Sequence, residues 1–483
     1  GDFKITQAAM FGTADAPYTS PPLSEKTVAI LARLLFLTPA QVSILGYFLF
    51  PFILAIIFYS LFWSITRSKA VAALAPLAIL LASSVAMDPR NLLYFFSSAS
   101  KIWADVYNRP IHPQVSSIYF YGWLLLFHLW SVRPTWLKTL SGGVLLGLLF
   151  YVYPFSWTVA VVILGITFIF KLWQKDRLRI YQLFGMGAVA LLVSSVYWLN
   201  TYQLATNPLW TLMKQRFVIF HSHQAIWSNL LFLDLIGLGV FYFFRRSPRV
   251  NFGFLTTVTL SLVIVINQQV ITGIRMFPGH WHWYYAVPWT IFLWIYFACE
   301  LLKNKKTLKV LFVAAAAVFI IVFGYATERS YYLRFKDRSI SYQRYVAVYD
   351  WLSGHAPAGS VVLADDKFSE RLPIFAPLYH YTWQGADELY AVSNDQIKRG
   401  FFVKIYLQGA VSDNLDKYIN ASTSELQILL SGYYRRYADN CDVCYTQEEI
   451  KQLQQEYRDF LKKDFEQQIK QYKIDYAVWD EQG

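Results

Sequence analysis

Long apolar runs separated by short polar segments occupy most of the chain between residues 42 and 325. A helix that crosses about 30 Å of hydrocarbon needs roughly 17 to 25 residues at a rise of 1.5 Å per residue, and slightly shorter apolar cores can cross when the flanks adjust. Ten runs meet or approach this length, and each predicts a transmembrane helix: 42–64, 71–87, 115–130, 137–153, 155–173, 181–200, 228–244, 252–267, 284–302 and 308–325. The pattern therefore predicts a mainly α-helical, polytopic transmembrane bundle of about ten helices.

Lysine and arginine are concentrated in every second loop between these runs. Short loops that carry these residues stay on the cytoplasmic side of a membrane, which orients the bundle. The basic residues are Arg67, Lys69, Arg133, Lys138, Lys171, Lys175, Arg177, Arg179, Arg245, Arg246, Arg249, Lys303, Lys305, Lys306 and Lys309. Loops 88–114, 200–227 and 268–283 are poorer in Lys and Arg, so we expect them, and everything after residue 325, on the external side of a plasma membrane.

The segment 1–41 precedes the first run and, by the same alternation, forms the first external loop. It contains neither an apolar run of transmembrane length nor a signal-peptide pattern, and Gly1 is not a methionine. We therefore expect a transmembrane helix before Gly1 that this sequence lacks, with a processed mature N-terminus as the alternative. The chain also ends abruptly at Gly483 after a strand-like run, so we expect the C-terminal region to be truncated.

Composition agrees with a membrane location and excludes several other classes. The 483 residues are 56% hydrophobic and 15% charged, whereas soluble domains carry about 25% charged residues. Three cysteines are too few to stabilise a chain of this size by disulfide bonds, which excludes a small disulfide-rich scaffold. A net charge of +12 would suggest nucleic acid in a soluble protein, but the predicted external face is poor in Lys and Arg, so we expect no nucleic-acid partner.

The region 326–483 changes to mixed charge with turn residues between short apolar runs, which predicts a soluble extracytoplasmic α/β domain. Residues 359–364 and 473–479 are expected to form buried strands, and 342–352 and 448–472 are expected to be helical. Cys441 and Cys444 form a lone C-x-x-C, for which a local disulfide is the simpler interpretation and half of a metal or redox site the alternative. The region contains no Gly-rich phosphate loop and no nucleophile elbow.

Polar residues gather in the predicted external loops, where they are the most informative positions of the chain. One cluster is the N-terminal loop with Asp2 and Asp15, a second is the loop 88–114, and a third runs from residue 267 to 285. A weaker fourth cluster consists of Lys214, Arg216, His221, His223 and Asp234. Arg and His can hold a phosphate by charge-assisted hydrogen bonds, and a carboxylate can take a proton from a hydroxyl. Together with many aromatic residues, these groups suit a phosphate-bearing lipid and a sugar.

Each of these residues also has a purely structural interpretation. Trp and Tyr form belts at membrane interfaces, and Arg residues anchor helix ends. Asp234 could lie within reach of the interface or make a polar contact between helices. His280 and His282 with Arg275 are less easily explained in this way, because clustered histidines are not a usual component of such belts.

Four stretches resemble the GT-C superfamily of integral-membrane glycosyltransferases: 1–4, 18–23, 108–114 and 267–285. In that superfamily an acidic residue soon after the first span acts as general base or helps to hold a metal. The resemblance implies this role for Asp2, with Asp15 and then Asp105 as the next candidates. It also implies that a group of residues binds the carrier phosphate or the substrate, namely Arg109, His112, Arg275, His280, His282 and Tyr284. The first loop has no D-x-D pair, so the resemblance leaves a divalent metal cofactor open.

The resemblance implies a transferase that moves a sugar from a polyprenyl-phosphate carrier to an acceptor hydroxyl on a glycan, lipid or protein at the external face of the membrane. Direct displacement at the anomeric carbon would use the acid as base and the Arg and His residues to stabilise the departing phosphate. Two alternatives remain at this point. One is a lipid-linked glycan translocator or ligase-like protein, and the other is a non-catalytic membrane scaffold whose outer domain binds a partner.

Overall fold

The structure is a computed structural model that describes residues 17–18, 20–97, 105–216, 219–244, 252–381, 392–410 and 447–479. This part of the chain is mainly helical, as the hydropathy pattern predicts. Two of the candidate acids, Asp2 and Asp15, lie outside the described residues, and so do Cys441 and Cys444.

Most of the described residues up to residue 343 are helical. In chain order the helices are α1 (Leu23–Leu34), α2 (Pro39–Thr66), α3 (Lys69–Leu81), α4 (Ser83–Met87), α5 (Arg90–Ser97), α6 (Ser116–Val132), α7 (Trp136–Leu149), α8 (Pro154–Trp173), α9 (Arg177–Val193), α10 (Ser195–Ala205), α11 (Trp210–Arg216), α12 (Asn229–Phe244), α13 (Phe252–Ile266), α14 (Gln269–Thr272), α15 (Gly279–Trp281), α16 (Val287–Leu301) and α17 (Lys306–Gln343). Two short segments lead into α6 and α16: Pro110–Val115, which is kinked at the non-helical residue His112, and the π-helical turn His282–Ala286. Strands β1 (Phe220–His221) and β2 (Ile274–Arg275) form a two-stranded antiparallel sheet.

Each of the ten apolar runs lies mostly on helix in the structure, but the helices differ in length. Within the described ranges, α2, α8, α17 and the segment 111–132 are long and apolar enough to cross a membrane, and α9 with α10 would make a fifth crossing. That pair bends by 57° at Ser194, and the run 71–87 is divided between α3 and α4 at Ala82. Hydropathy does not register such breaks, because the residues that form them are as apolar or small as their neighbours. The ten crossings therefore stay a prediction.

Local sequence explains how several of these helices begin. At the start of α2, the Thr38 side chain accepts a hydrogen bond from the Gln41 backbone N–H, and the Gln41 side chain accepts one from the Thr38 backbone N–H. This reciprocal cap satisfies donors that a helix start leaves open, and Pro39 stands at the first helical position, where its missing N–H costs nothing. Asp176 caps α9 in a similar way, by accepting from the Arg179 backbone N–H.

Aromatic stacking and close helix contacts hold the helices together. The rings of Phe62 and Phe292 stack at 4.1 Å between α2 and α16, and those of Phe58 and Tyr121 lie 4.5 Å apart between α2 and α6. Helix α7 approaches α9 so closely that a Cβ on Gly147 would lie 2.6 Å from the Cβ of Val193. Small residues allow such approaches, which replace the missing hydrophobic driving force between helices in lipid.

The C-terminal region contains short helices and a three-stranded parallel sheet. Its elements are α18 (Val346–His355), β3 (Val361–Leu363), α19 (Asp366–Ser369), α20 (Leu372–Phe375), β4 (Tyr379–His380), α21 (Asn394–Leu407), α22 (Gln447–Leu461), α23 (Phe465–Ile469) and β5 (Tyr476–Ala477). The strand order is β4-β3-β5, with Val361 opposite Tyr379 and Val362 opposite Tyr476. Strands β3 and β5 lie within the two runs predicted to be strands.

Strand β3 is buried on both faces, and this explains its continuous apolar sequence. Val361 and Leu363 belong to one apolar cluster with residues of α21 and α22, whereas Val362 belongs to another with residues of α18 and α20. Alternate residues of a strand point to opposite faces, so a strand between two helical layers needs apolar residues at every position. Helix α17 is continuous past residue 325, where the last predicted transmembrane run ends. Helix α20 of the C-terminal region packs against α2.

Candidate functional site

Two loops predicted to be external enter their helices through irregular segments. The first segment, Pro110–Val115, follows Arg109 and is kinked at His112, and the second, the π-helical turn His282–Ala286, contains Tyr284. Such irregularities change the direction in which side chains project, and π-helical turns recur at functional sites. In this molecule they bring polar residues from the two loops together.

Arg109 and Tyr284 make the direct link between the loops. The Arg109 guanidinium, which is exposed, donates a hydrogen bond of 2.8 Å from Nη2 to the Tyr284 hydroxyl, although the residues are 175 positions apart in sequence. The backbone carbonyl of Tyr284 accepts hydrogen bonds from the hydroxyls of Tyr121 (2.9 Å) and Tyr107 (3.3 Å). Tyr284 is therefore fixed at both ends, and its hydroxyl holds the guanidinium in one place.

His280 lies against the same tyrosine. Its ring stacks on Tyr284 with centroids 5.4 Å apart, and its Nδ1 is 2.6 Å from the hydroxyl of Tyr153, the residue that precedes α8. Burial among these rings lowers the pKa of His280 to about 3, and the positive charge of Arg109 and the neighbouring His112 add to this shift. His280 is therefore neutral near pH 7, so it can offer a phosphate a hydrogen bond but not a charge.

His112 joins the site to a carboxylate of the first predicted external loop. Its Nε2 lies 3.0 Å from Oε1 of Glu25, in the first turn of α1, and its ring stacks on Tyr153 at 5.1 Å. The other two polar atoms of the pair, Glu25 Oε2 and His112 Nδ1, are buried and have no hydrogen-bond partner in the described part of the chain. Buried polar atoms without partners are costly, so hydrogen bonding at this pair is incomplete within the described residues.

These contacts define one group, which we call the polar cluster: Glu25, Arg109, His112, Tyr153, His280 and Tyr284. Arg109, His112, His280 and Tyr284 are among the residues that sequence analysis selects. Glu25 and Tyr153 are not, although Glu25 is an acid in the predicted first external loop and could have been weighed beside Asp2 and Asp15. Tyr153 is harder to select from the sequence, because it ends one apolar run and only one residue separates that run from the next.

The remaining candidates lie elsewhere. Asp105 is 3% exposed, and its Oδ1 accepts hydrogen bonds from the Ser84 backbone N–H (2.9 Å) and the Ser83 hydroxyl (3.2 Å). It therefore caps the start of α4, and burial raises the pKa of its carboxyl to about 6. Arg275 lies in β2 with its guanidinium 5.1 Å from the ring centre of Phe220.

His282 is half-buried, and its Nδ1 is 3.5 Å from the Ser228 hydroxyl; burial lowers the pKa of the imidazole. None of the described contacts of Arg275 or His282 is to the polar cluster. Asp234 makes a contact between helices: its Oδ2 accepts from the Thr290 hydroxyl (2.6 Å) and its Oδ1 from the Trp294 indole N–H (3.1 Å).

The chain matches no protein-family model and no curated protein sequence. Within the described ranges there is no group of three or more His, Cys, Asp or Glu side chains that could hold a metal ion.

The polar cluster combines three properties that few sites share. Arg109 is a permanent cation that solvent can reach, Glu25 has a buried carboxylate oxygen without a partner in the described residues, and the tyrosine rings of the cluster stack on its two histidines. An anionic group would bind the guanidinium by charge-assisted hydrogen bonds. The free carboxylate oxygen calls for a hydrogen-bond donor, such as a hydroxyl, on the same or a second molecule.

Proposed function

We propose that this chain is an integral-membrane glycosyltransferase with a GT-C-like bundle, which moves a sugar from a polyprenyl-phosphate carrier to an acceptor hydroxyl at the external membrane face. One observation carries the proposal: the polar cluster contains both an exposed guanidinium and a carboxylate oxygen that has no hydrogen-bond partner among the described residues. The first suits the phosphate of the carrier, and the second suits the hydroxyl of an acceptor. The apolar helices suit a carrier that reaches the site from the bilayer.

In the proposed reaction the acceptor oxygen attacks the anomeric carbon and forms the new glycosidic bond. The bond between that carbon and the carrier phosphate breaks, and the phosphate leaves with the bonding electrons. The positive charge of Arg109 stabilises the negative charge that develops on the leaving phosphate. The proton of the acceptor hydroxyl passes to a carboxylate, and holding the two substrates in line supplies much of the rate.

Two carboxylates compete for the role of base. The resemblance assigns it to Asp2, and the geometry of the polar cluster favours Glu25, whose Oε1 is engaged by His112 while Oε2 has no partner in the described residues. Asp105 is a weaker choice, because it is 3% exposed and the hydrogen bonds described for it come from Ser83 and Ser84, outside the polar cluster. We propose Glu25 as the base within the cluster and keep Asp2 as the alternative.

The test is transfer of radiolabelled sugar from a panel of polyprenyl-phosphate sugars to a panel of acceptors, with the full chain in nanodiscs. Loss of turnover in Glu25→Gln with turnover kept in Asp2→Asn would support Glu25 as base, and the reverse result would support Asp2. Glu300→Gln is the matched control, since Glu300 pairs with Lys303 at the opposite end of α16. Absence of turnover with every donor, while the carrier still binds, would overturn the transferase in favour of a translocator or ligase-like protein.

We also propose that the region 326–483 is an extracytoplasmic α/β domain and that the bundle crosses a plasma membrane several times. The alternation of basic loops supports this orientation. A membrane-impermeant maleimide should label His355→Cys on α18 in intact cells but not Asn304→Cys in a predicted cytoplasmic loop, with the native cysteines replaced by serine. Labelling of Asn304→Cys alone would reverse the topology.

A further inference from the structure

Two histidines lie together beside the β1–β2 strand pair, which the proposed transfer does not use. His221 ends β1 opposite Ile274 of β2, and the Ser222 backbone N–H donates a 3.1 Å hydrogen bond to the carbonyl of Gly273. The rings of His221 and His223 lie 4.9 Å apart at an angle of 75°. Both side chains are exposed.

The two rings direct the same nitrogen toward one small space. A Cβ on Gly273 would lie 3.0 Å from Nε2 of His221 and 3.2 Å from Nε2 of His223. Gly273 has a φ of +70°, which favours glycine in any case, and its lack of a side chain leaves the space in front of both nitrogens open. Any other residue at this position would fill that space.

The hydrogen bonding of His223 determines which of its nitrogens is available. Its Nδ1 lies 3.1 Å from the backbone carbonyl oxygen of Val270. A carbonyl can only accept, so Nδ1 carries the hydrogen and Nε2 of the neutral ring has a free lone pair. Metal-binding histidines are usually oriented in this way, by donating the second ring N–H to a carbonyl or carboxylate.

The spacing of the rings fits a shared ligand. Imidazole nitrogen binds zinc at about 2.0–2.1 Å, so two rings on one ion at a tetrahedral angle have centroids roughly 5 Å apart. The observed separation of 4.9 Å agrees with this value. Imidazole suits Zn²⁺, Cu²⁺ and Ni²⁺, whereas Mg²⁺ and Ca²⁺ require oxygen ligands.

We propose that His221 and His223 bind one divalent transition-metal ion of the Zn²⁺, Cu²⁺ and Ni²⁺ class through their Nε2 atoms, in front of Gly273. Two protein ligands leave coordination positions open to water or to an anion, and the exposure of both rings gives solvent access to them. The site does not depend on the proposed glycosyl transfer.

Copper binding to the purified full chain, produced without a polyhistidine tag, tests the site directly. Electron paramagnetic resonance should show one Cu²⁺ per chain with coupling to two imidazole nitrogens. His221→Ala and His223→Ala should each abolish that two-nitrogen signal, whereas His355→Ala, on exposed α18, should keep it. A signal that persists unchanged in both single variants would overturn the proposal.

A second measurement needs no variant and so avoids any effect on folding. Diethylpyrocarbonate modifies free imidazoles, and peptide mass spectrometry reports each histidine separately. Zn²⁺ should slow modification of His221 and His223 several-fold and leave His355 unchanged. Equal modification rates with and without Zn²⁺ would refute the site, because a bound ion must block the reactive nitrogens.

Discussion

The contact of Asp234 with α16 and the polar cluster are two polar sites in the same apolar helical protein, but they differ in how completely their atoms are paired. Both oxygens of Asp234 accept hydrogen bonds from α16, one from Thr290 and one from Trp294. In the polar cluster, Glu25 Oε2 and His112 Nδ1 are buried and have no partner in the described part of the chain.

This difference indicates which carboxylate belongs to a packing contact and which to a binding site. Burying a polar group costs free energy unless hydrogen bonds compensate for the lost water. The two donors of α16 compensate at Asp234, so this contact is complete without a ligand. The polar cluster leaves part of that cost unbalanced, and a bound group that donates a hydrogen bond, such as a hydroxyl, would reduce it.

The largest expected effect is on transfer in Arg109→Gln. Glutamine keeps a hydrogen-bond donor but removes the charge that stabilises the departing phosphate, so we expect turnover to fall about 10²- to 10³-fold. Arg90→Gln is the control, because Arg90 is an exposed arginine paired with Asp88 in the neighbouring region. Steady-state kinetics with the best donor would measure kcat and KM for each variant. Equal kinetics in the wild type and Arg109→Gln would remove the cluster from the reaction.

The next prediction concerns the dependence of stability on pH through His280. Its folded-state pKa is lowered to about 3 from the ordinary 6.5, so protons bind preferentially to the unfolded state as the pH falls below 6.5. The contribution to stability is complete above pH 6.5 and is lost progressively down to about pH 3. Between pH 7.5 and pH 4.5, the free energy of unfolding should fall by about 3 kcal/mol more in the wild type than in His280→Asn, because one pKa unit corresponds to 1.36 kcal/mol.

Thermal unfolding in detergent at a series of pH values measures this difference. His355→Asn is the matched control, since His355 is an exposed histidine on α18. If the stabilities of the wild type and His280→Asn changed with pH in parallel, the His280 ring would not be buried as the structure shows.

A smaller effect is expected for Asp234→Ala, and it should fall on stability rather than on transfer. The substitution leaves the Thr290 hydroxyl and the Trp294 N–H without their acceptor, at a cost of about 2 kcal/mol in the free energy of unfolding. Thermal unfolding and the transfer assay should be run on the same preparation. Normal stability with abolished transfer would break the distinction between the two sites and place Asp234 in the reaction.

The smallest effect is expected at a contact without polar groups, between α7 and α9. A Cβ in Gly147→Ala would lie 2.6 Å from the Cβ of Val193 and 2.9 Å from the Ala190 carbonyl, so the helices must separate, at about 1–2 kcal/mol. Gly165→Ala on α8 is the control, because nothing lies within 4 Å of the Cβ that it adds. Equal unfolding midpoints for the two variants would mean that α7 and α9 do not pack closely at Gly147.

Much of the helical architecture could be predicted from the sequence, because apolar runs and turn residues are local properties. All ten predicted apolar runs lie mostly on helix, and β3 and β5 lie in the predicted strands. The break at Ala82 and the bend at Ser194 could not be predicted in this way, since backbone direction there depends on neighbouring helices rather than on hydropathy. Four residues of the polar cluster could be selected because polar and aromatic side chains are conspicuous beside long apolar runs.

The sequence by itself determined that this protein is apolar and mainly helical, and that Arg109, His112, His280 and Tyr284 stand at the ends of apolar runs. The tertiary structure decided how they are used. Glu25 meets His112 across 87 positions and Tyr153 meets His280 across 127, distances over which no sequence pattern connects side chains. Packing also decided that His280 is neutral and that Asp105 caps a helix, because burial and partners set the charge and the role of a titratable group.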